Sequence, residues 1–186
     1  MRRQFFAVTC LLNVSVFLLA GHDVYAATAC STSLPRNIDG GTLVPELTAL
    51  LQRSPTFQRQ CARIASVVVL RVRIGIIRRI DGRARAQTII DRYETGAIRA
   101  DVSLVFADDY VELIAHEFEH ILEQVEGVRL RDEIKLHRAW LTGTGAYETQ
   151  RAFDAGVRVR QECDALAAEA IEVERRKIPA IRQPIQ

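Results

Sequence analysis

The stretch Val111-Glu-Leu-Ile-Ala-His-Glu-Phe-Glu-His-Ile-Leu-Glu-Gln124 decides the reading of this chain. Val111, Ile114, Phe118, Ile121, Leu122 and Val125 recur at helical spacing, which predicts an amphipathic helix over residues 108–126, with Asp108 or Asp109 at its N-terminus. Two of the chain's four histidines, His116 and His120, fall within it. Four residues turn a helix through about 40° beyond a full turn, so both imidazoles leave the helix along nearly the same line. Glu117 stands about 60° from His120 on that side. His-Glu-x-x-His on one helical turn supplies two imidazole ligands to zinc and a carboxylate beside the open position. We therefore expect one Zn2+ per chain.

The remainder of the chain frames that helix. Residues 1–3 are a short basic start, residues 5–21 are apolar, and Val24-Tyr25-Ala26 has a small-x-small pattern. Residues 1–26 read as a signal peptide, which implies a secreted or periplasmic protein. Ala27-Thr28-Ala29-Cys30 loosely resembles a lipoprotein box, so a lipid anchor at Cys30 is the minor alternative. Loss of Arg2, Arg3 and Asp23 takes the net charge from +2 to +1, which argues against a nucleic-acid binder. No second long apolar run follows, so no stable membrane span is expected after signal removal. About 160 residues suit one domain, residues 27–186. Cys30 and Cys61 are the expected intrachain disulfide, with Cys163 buried in a helix, and no Cys-x-x-Cys spacing suggests a thiolate metal site.

Residues 27–44 read as an extended lead-in and residues 178–186 as a tail. Apolar spacing on either side of Arg53-Ser54-Pro55-Thr56-Phe57 predicts two short helices over residues 45–54 and 55–64, because Ser-Pro suits a helix start. Runs at 66–74, 83–91 and 96–106 are β-branched or alternating and predict a small antiparallel meander. The run before the motif helix, 97–106, is the expected edge strand for an extended peptide. The fold class expected is α+β, a small antiparallel sheet packed beside the His-Glu-x-x-His helix and a second C-terminal helix.

Two histidines leave one ligand to find. Glu119, Glu123 and Glu126 share the helix with the histidines and read as a solvated face. Glu148 is expected in the first turn of the second helix, which can bring it back to the metal. His137 is the alternative, giving a three-histidine site. Tyr-Glu-Thr occurs twice, at 93–95 and 147–149, and Glu94 lies upstream of the motif helix.

His116-Glu117-Phe118-Glu119-His120 with a glutamate on a later element resembles the gluzincin class of zinc metallopeptidases. More narrowly, Arg53-Ser-Pro-Thr-Phe57, the sheet, Ala115-His-Glu-Phe-Glu-His120 and Tyr147-Glu-Thr-Gln-Arg-Ala-Phe-Asp-Ala-Gly156 look like small exported bacterial proteins carrying this motif. The resemblance implies a zincin-like fold, metal ligands His116, His120 and Glu148, and Glu117 as general base in hydrolysis of a peptide or protein substrate. It also implies an oxyanion donor, for which Tyr147, His137 and Tyr110 are candidates in that order. Metzincins carry Gly and His where this chain has Glu123 and Glu126. Familiar gluzincins carry Asp four residues after the ligand glutamate, a place held here by Ala152, with Asp154 the nearest acid. The other function class is a secreted zinc-binding or interaction domain without turnover.

Overall fold

The computed structural model describes residues 33–80, 84–105, 109–142 and 146–177. The expected signal peptide, Cys30 and the tail 178–186 lie outside these residues. Among the described residues the fold is α+β, with a mixed four-stranded sheet, a separate two-stranded hairpin and five α-helices.

The lead-in is more ordered than its composition suggests. Strand β1 (Ile38–Asp39) joins the sheet, Gly41–Leu43 forms a 3-10 turn, and α1 (Val44–Arg53) follows directly. Asn37 is buried and donates from Nδ2 to the Ile64 carbonyl at 2.8 Å, satisfying an end of α2 (Pro55–Ser66). Ser54 is the N-cap of α2, its hydroxyl accepting from Phe57 N, and Pro55 takes the first turn as expected.

The main sheet contains β2 (Leu70–Ile77), β3 (Ala86–Arg92) and β4 (Ile98–Val105) in the order β1-β2-β4-β3. The expected antiparallel meander is incorrect. Only β3 and β4 pair antiparallel; β2 runs parallel to both β1 and β4. Burial explains the order. Ile98, Ala100, Val102 and Leu104 are all buried, so β4 takes a central place, whereas β3 buries no residue and has Ile89 exposed. The most polar strand accepts the edge, where a solvated face costs least. The expected edge, 97–106, is therefore interior, and the edge beside the motif helix is β3.

Leu70, Val72 and Ile74 of β2 join those β4 residues on one face, against which helices pack. Helix α3 (Tyr110–Val125) carries the histidines, close to the bounds its periodicity indicates. Phe118 of α3 stacks on Phe57 of α2, ring centroids 5.2 Å apart. Asp109 holds the N-cap position without a capping bond; its carboxylate pairs with Arg85 instead. Asp108 lies outside the described residues. Cys61 is a buried free thiol in this core, its pKa pushed up to about 12 by burial, and Cys163 is free and only half-buried. The expected bridge from Cys61 thus finds no support, and its partner Cys30 is outside the described residues.

After α4 (Leu130–Lys135), strands β5 (Ala139–Leu141) and β6 (Tyr147–Thr149) form the hairpin that leads into α5 (Gln150–Lys177). Ala152, Ala155, Gly156 and Val159 recur at helical spacing on the face of α5 turned to α3. The crossing is tightest at Gly156, where a Cβ would stand 2.9 Å from the Glu112 carbonyl oxygen and 3.4 Å from His116 Cβ. Farther along α5, Glu162 accepts from the Ser54 and Thr56 hydroxyls and from Thr56 N, so the same helix is pinned to the start of α2.

Gly156→Ala should destabilise the protein by about 1 kcal/mol, overlap at the crossing outweighing the helix propensity that alanine contributes. Urea denaturation read by circular dichroism checks this. An unchanged or raised midpoint would show that the two helices do not depend on contact at this position.

Candidate metal centre

His116 and His120 leave α3 along one line, as helical spacing requires, and their rings meet edge to face with centroids 4.7 Å apart. Glu148 reaches them from β6. The three atoms that converge are His116 Nε2, His120 Nε2 and Glu148 Oε2, separated by 3.1 Å (His–His), 2.9 Å (His116–Glu148) and 3.6 Å (His120–Glu148). These side chains are partly exposed, which leaves the centre open on one side.

The triangle can be tested against a metal. Ligands about 2.0–2.1 Å from a tetrahedral zinc lie roughly 3.3 Å from one another, a value within the range of the three separations. A circle through the three atoms has a radius of about 1.9 Å, shorter than such a bond, so an ion can touch all three from just off their plane. Charge makes the same demand. Two imidazole lone pairs and a carboxylate oxygen facing one another at these distances need a cation at their centre, a proton or a metal. The donor set and its geometry fit zinc.

Glu148 was expected on a helix and instead sits on a strand, immediately before α5. The reason lies in its neighbour. Thr149 is buried, and its hydroxyl accepts from Ala152 N at 3.0 Å, making Thr149 the residue that caps α5 and ends the extended segment. The same hydroxyl donates to Glu123 Oε1 at 2.7 Å. Glu123 Oε2 faces His120 Nδ1 at 3.1 Å, so the Nδ1–H donates to this carboxylate and Nε2 is the ring atom turned to the centre.

Glu119 and Glu123, read from sequence as a solvated face, are buried. Glu119 is held by Arg151 Nε at 2.6 Å and by Gln60 Nε2 at 2.7 Å, and Arg151 also bonds the half-exposed Glu126. Both buried carboxylates would be costly to desolvate unpaired, and each finds donors on the adjoining helices or strand. The sequence signal for Glu123 was available in its spacing, three residues after His120, which is within reach on a helix.

Glu117 is outside the ligand triangle. It is buried, and Oε2 accepts from the Thr88 hydroxyl of the edge strand β3 at 2.5 Å. Burial raises its pKa, opposed by Thr88 and by the two histidines. Without a metal, burial raises the Glu148 pKa, but hydrogen bonds to His116 and His120 outweigh this and hold it at about 2. Burial lowers that of His120, whereas Glu123 and Glu148 outweigh it and push it to about 9.

The other expected residues are not brought to the centre. His137 is exposed with a left-handed backbone, φ 55°, at the end of α4, and it is not among the residues that converge. Tyr147 adjoins Glu148 on a strand, where successive side chains take opposite faces, so it points away from the ligand. Tyr110 packs against the core at the start of α3. Asp154 accepts from Gln150 at 2.8 Å. Ala152, at the place of the gluzincin aspartate, is fully buried. Glu94 is exposed in the turn between β3 and β4.

No family model, curated protein or solved structure matches this chain.

Two predictions follow from the geometry. Glu123→Ala should weaken zinc binding about 10- to 100-fold, since it frees the His120 ring, and Glu123→Gln should recover part of the loss by keeping an acceptor toward Nδ1. Competition with a chromophoric chelator measures both, and equal affinities would contradict the role of Glu123.

Protons and metal compete for His120. In the metal-free protein its raised pKa contributes stability that is fully present below its ordinary value of 6.5 and is lost as pH rises through about 9. Glu148 contributes stability present above its ordinary value of 4.5 and lost as pH falls through about 2. Zinc affinity should therefore climb between pH 6.5 and 9, by up to about tenfold per unit. A flat profile over that interval would contradict it.

Proposed function

We propose that this chain is an exported zinc-dependent peptide hydrolase in which Glu117 is the general base. The observation that carries this reading is the division of labour along one helical turn. His116 and His120 converge with Glu148, while Glu117, between them in sequence, is buried apart from the ligand triangle and held by Thr88. A scaffold that only stored zinc has no use for a buried carboxylate in that place.

His116, His120 and Glu148 would hold the ion. Bound there, zinc would supply Lewis acidity, lowering the pKa of a water to about 7 and polarising a carbonyl oxygen. Glu117 accepts the proton released as water adds to the carbonyl carbon and then delivers it to the departing amine nitrogen. In the metal-free protein burial raises its pKa, which favours uptake of a proton over that of an exposed carboxylate. Thr88 fixes which oxygen of Glu117 remains available by occupying Oε2. Glu123 keeps the His120 ring in the tautomer and orientation that ligation requires. Thr88 also ties the base to the edge strand of the sheet, so the strand and the base keep a fixed relation.

The exported location rests on the reading of residues 1–26. No helix among the described residues is long and apolar enough to cross a membrane.

Glu117→Gln should retain one zinc per chain and lower the rate of peptide hydrolysis by about 10²- to 10⁴-fold, since an amide cannot accept the proton. Metal content and turnover of a mixed peptide library, measured on the same preparations, check this. Wild-type protein that is fully loaded with zinc and cleaves no peptide would favour the binding-domain reading instead.

A further inference from the structure

The hairpin that delivers Glu148 carries a second side chain to the same place. In the β5–β6 register Trp140 stands directly opposite Glu148, between the pairs Ala139–Thr149 and Leu141–Tyr147. The backbone bonds at Gln150–Arg138 and Thr142–Ala146 bracket the pair on either side, which makes Trp140–Glu148 a hydrogen-bonded pair with Cα atoms about 5.5 Å apart. Directly paired residues emerge on the same face of a hairpin. Glu148 points to His116 and His120, so Trp140 rises beside the metal centre, while the next pair, Ala139 and Thr149, is buried on the other face.

Trp140 is the only tryptophan of the chain and is 43% exposed. An indole left open to water beside three polar ligands contributes little to packing, yet offers a large apolar surface at small entropic cost on binding. Other large apolar side chains are exposed elsewhere, including Ile89 and Phe153, but Trp140 alone is paired with a ligand residue.

We infer that Trp140 is a specificity-determining residue, which receives a large apolar or aromatic side chain flanking the scissile bond, and that the substrates are peptides carrying such a residue at the cleavage point. This rests on the peptidase reading. Aromatic side chains stack on indole with an offset or edge-to-face geometry, whereas charged or small residues gain less from the same surface.

Zinc-chelating hydroxamates test the inference without requiring turnover. The zinc-loaded protein is titrated with acetohydroxamate and with two benzyl hydroxamates, one placing the ring on each side of the chelating group, and binding is followed by calorimetry. At least one benzyl compound should bind about tenfold more tightly than acetohydroxamate. Trp140→Ala should remove that gain and Trp140→Phe should keep most of it, with acetohydroxamate affinity equal in all three proteins. That equality shows that the centre itself is intact in the variants. Benzyl gains that survive in Trp140→Ala, or absence of any gain in wild type, would overturn the inference. Hydrolysis of Phe- or Leu-containing peptides is read on the same samples. If the Trp140-dependent gain is present and no peptide is cleaved, the peptidase reading fails while the apolar recognition site stands. If peptides are cleaved and Trp140→Ala slows all of them equally, the peptidase reading stands and the role of Trp140 is lost.

Discussion

The buried carboxylate of Glu123 joins the three elements on which the centre depends. One oxygen faces His120 Nδ1 on its own helix, and the other accepts from Thr149, the residue that ends β6 and caps α5. Glu148 is the preceding residue, so the bond that orients one ligand also fixes where another enters. Burying a carboxylate is costly unless its lone pairs are occupied, and removing one partner of such a group typically costs about 3–5 kcal/mol. The arrangement therefore resists partial rearrangement: α3, β6 and the start of α5 hold their positions together. Arg151, two residues after Thr149, adds a second clamp through Glu119 and Glu126.

Close approach makes this network possible. Gly156 and the alanines of α5 let it lie against α3 beside His116, and Glu162 anchors the helix again at Ser54 and Thr56 of the α2 start. The sheet supplies the remaining constraint, with Thr88 of β3 holding Glu117. His116, His120 and Glu117 thus come from one helix and Glu148 from a hairpin, while the adjoining strand supplies the bond that holds Glu117. The three donor atoms of His116, His120 and Glu148 stand close enough together to hold a metal ion.

How much of this was legible in the sequence differs by element. The motif helix was readable because six apolar residues and two histidines follow one period, a local property. The α1 and α2 helices were readable from Ser54-Pro55. Strand positions were roughly readable from composition, but their directions were not, since parallel pairing of β2 with β4 depends on contacts 28 residues apart in the register, as between Leu70 and Ile98. The β5–β6 hairpin was missed because three-residue strands leave almost no periodicity, and with it went the strand placement of Glu148 and the pairing of Trp140. Glu119 and Glu123 were misread for a different reason. Glutamate on a helix is ordinarily solvated, and only the later arrival of Arg151 and Thr149 makes burial affordable. The choice of Glu148 over His137 rested on an expected place in the first turn of a second helix and on the gluzincin resemblance; the structure brings Glu148, from a strand, to the histidines, and not His137.

The most direct measurement of the metal centre is the crystal structure of the zinc-loaded protein with anomalous data collected across the zinc edge. One anomalous peak per chain should lie within about 2.0–2.2 Å of His116 Nε2, His120 Nε2 and a Glu148 oxygen, with Glu117 outside bonding distance. A peak ligated by His137 in place of Glu148, or an ion away from the two motif histidines, would contradict it.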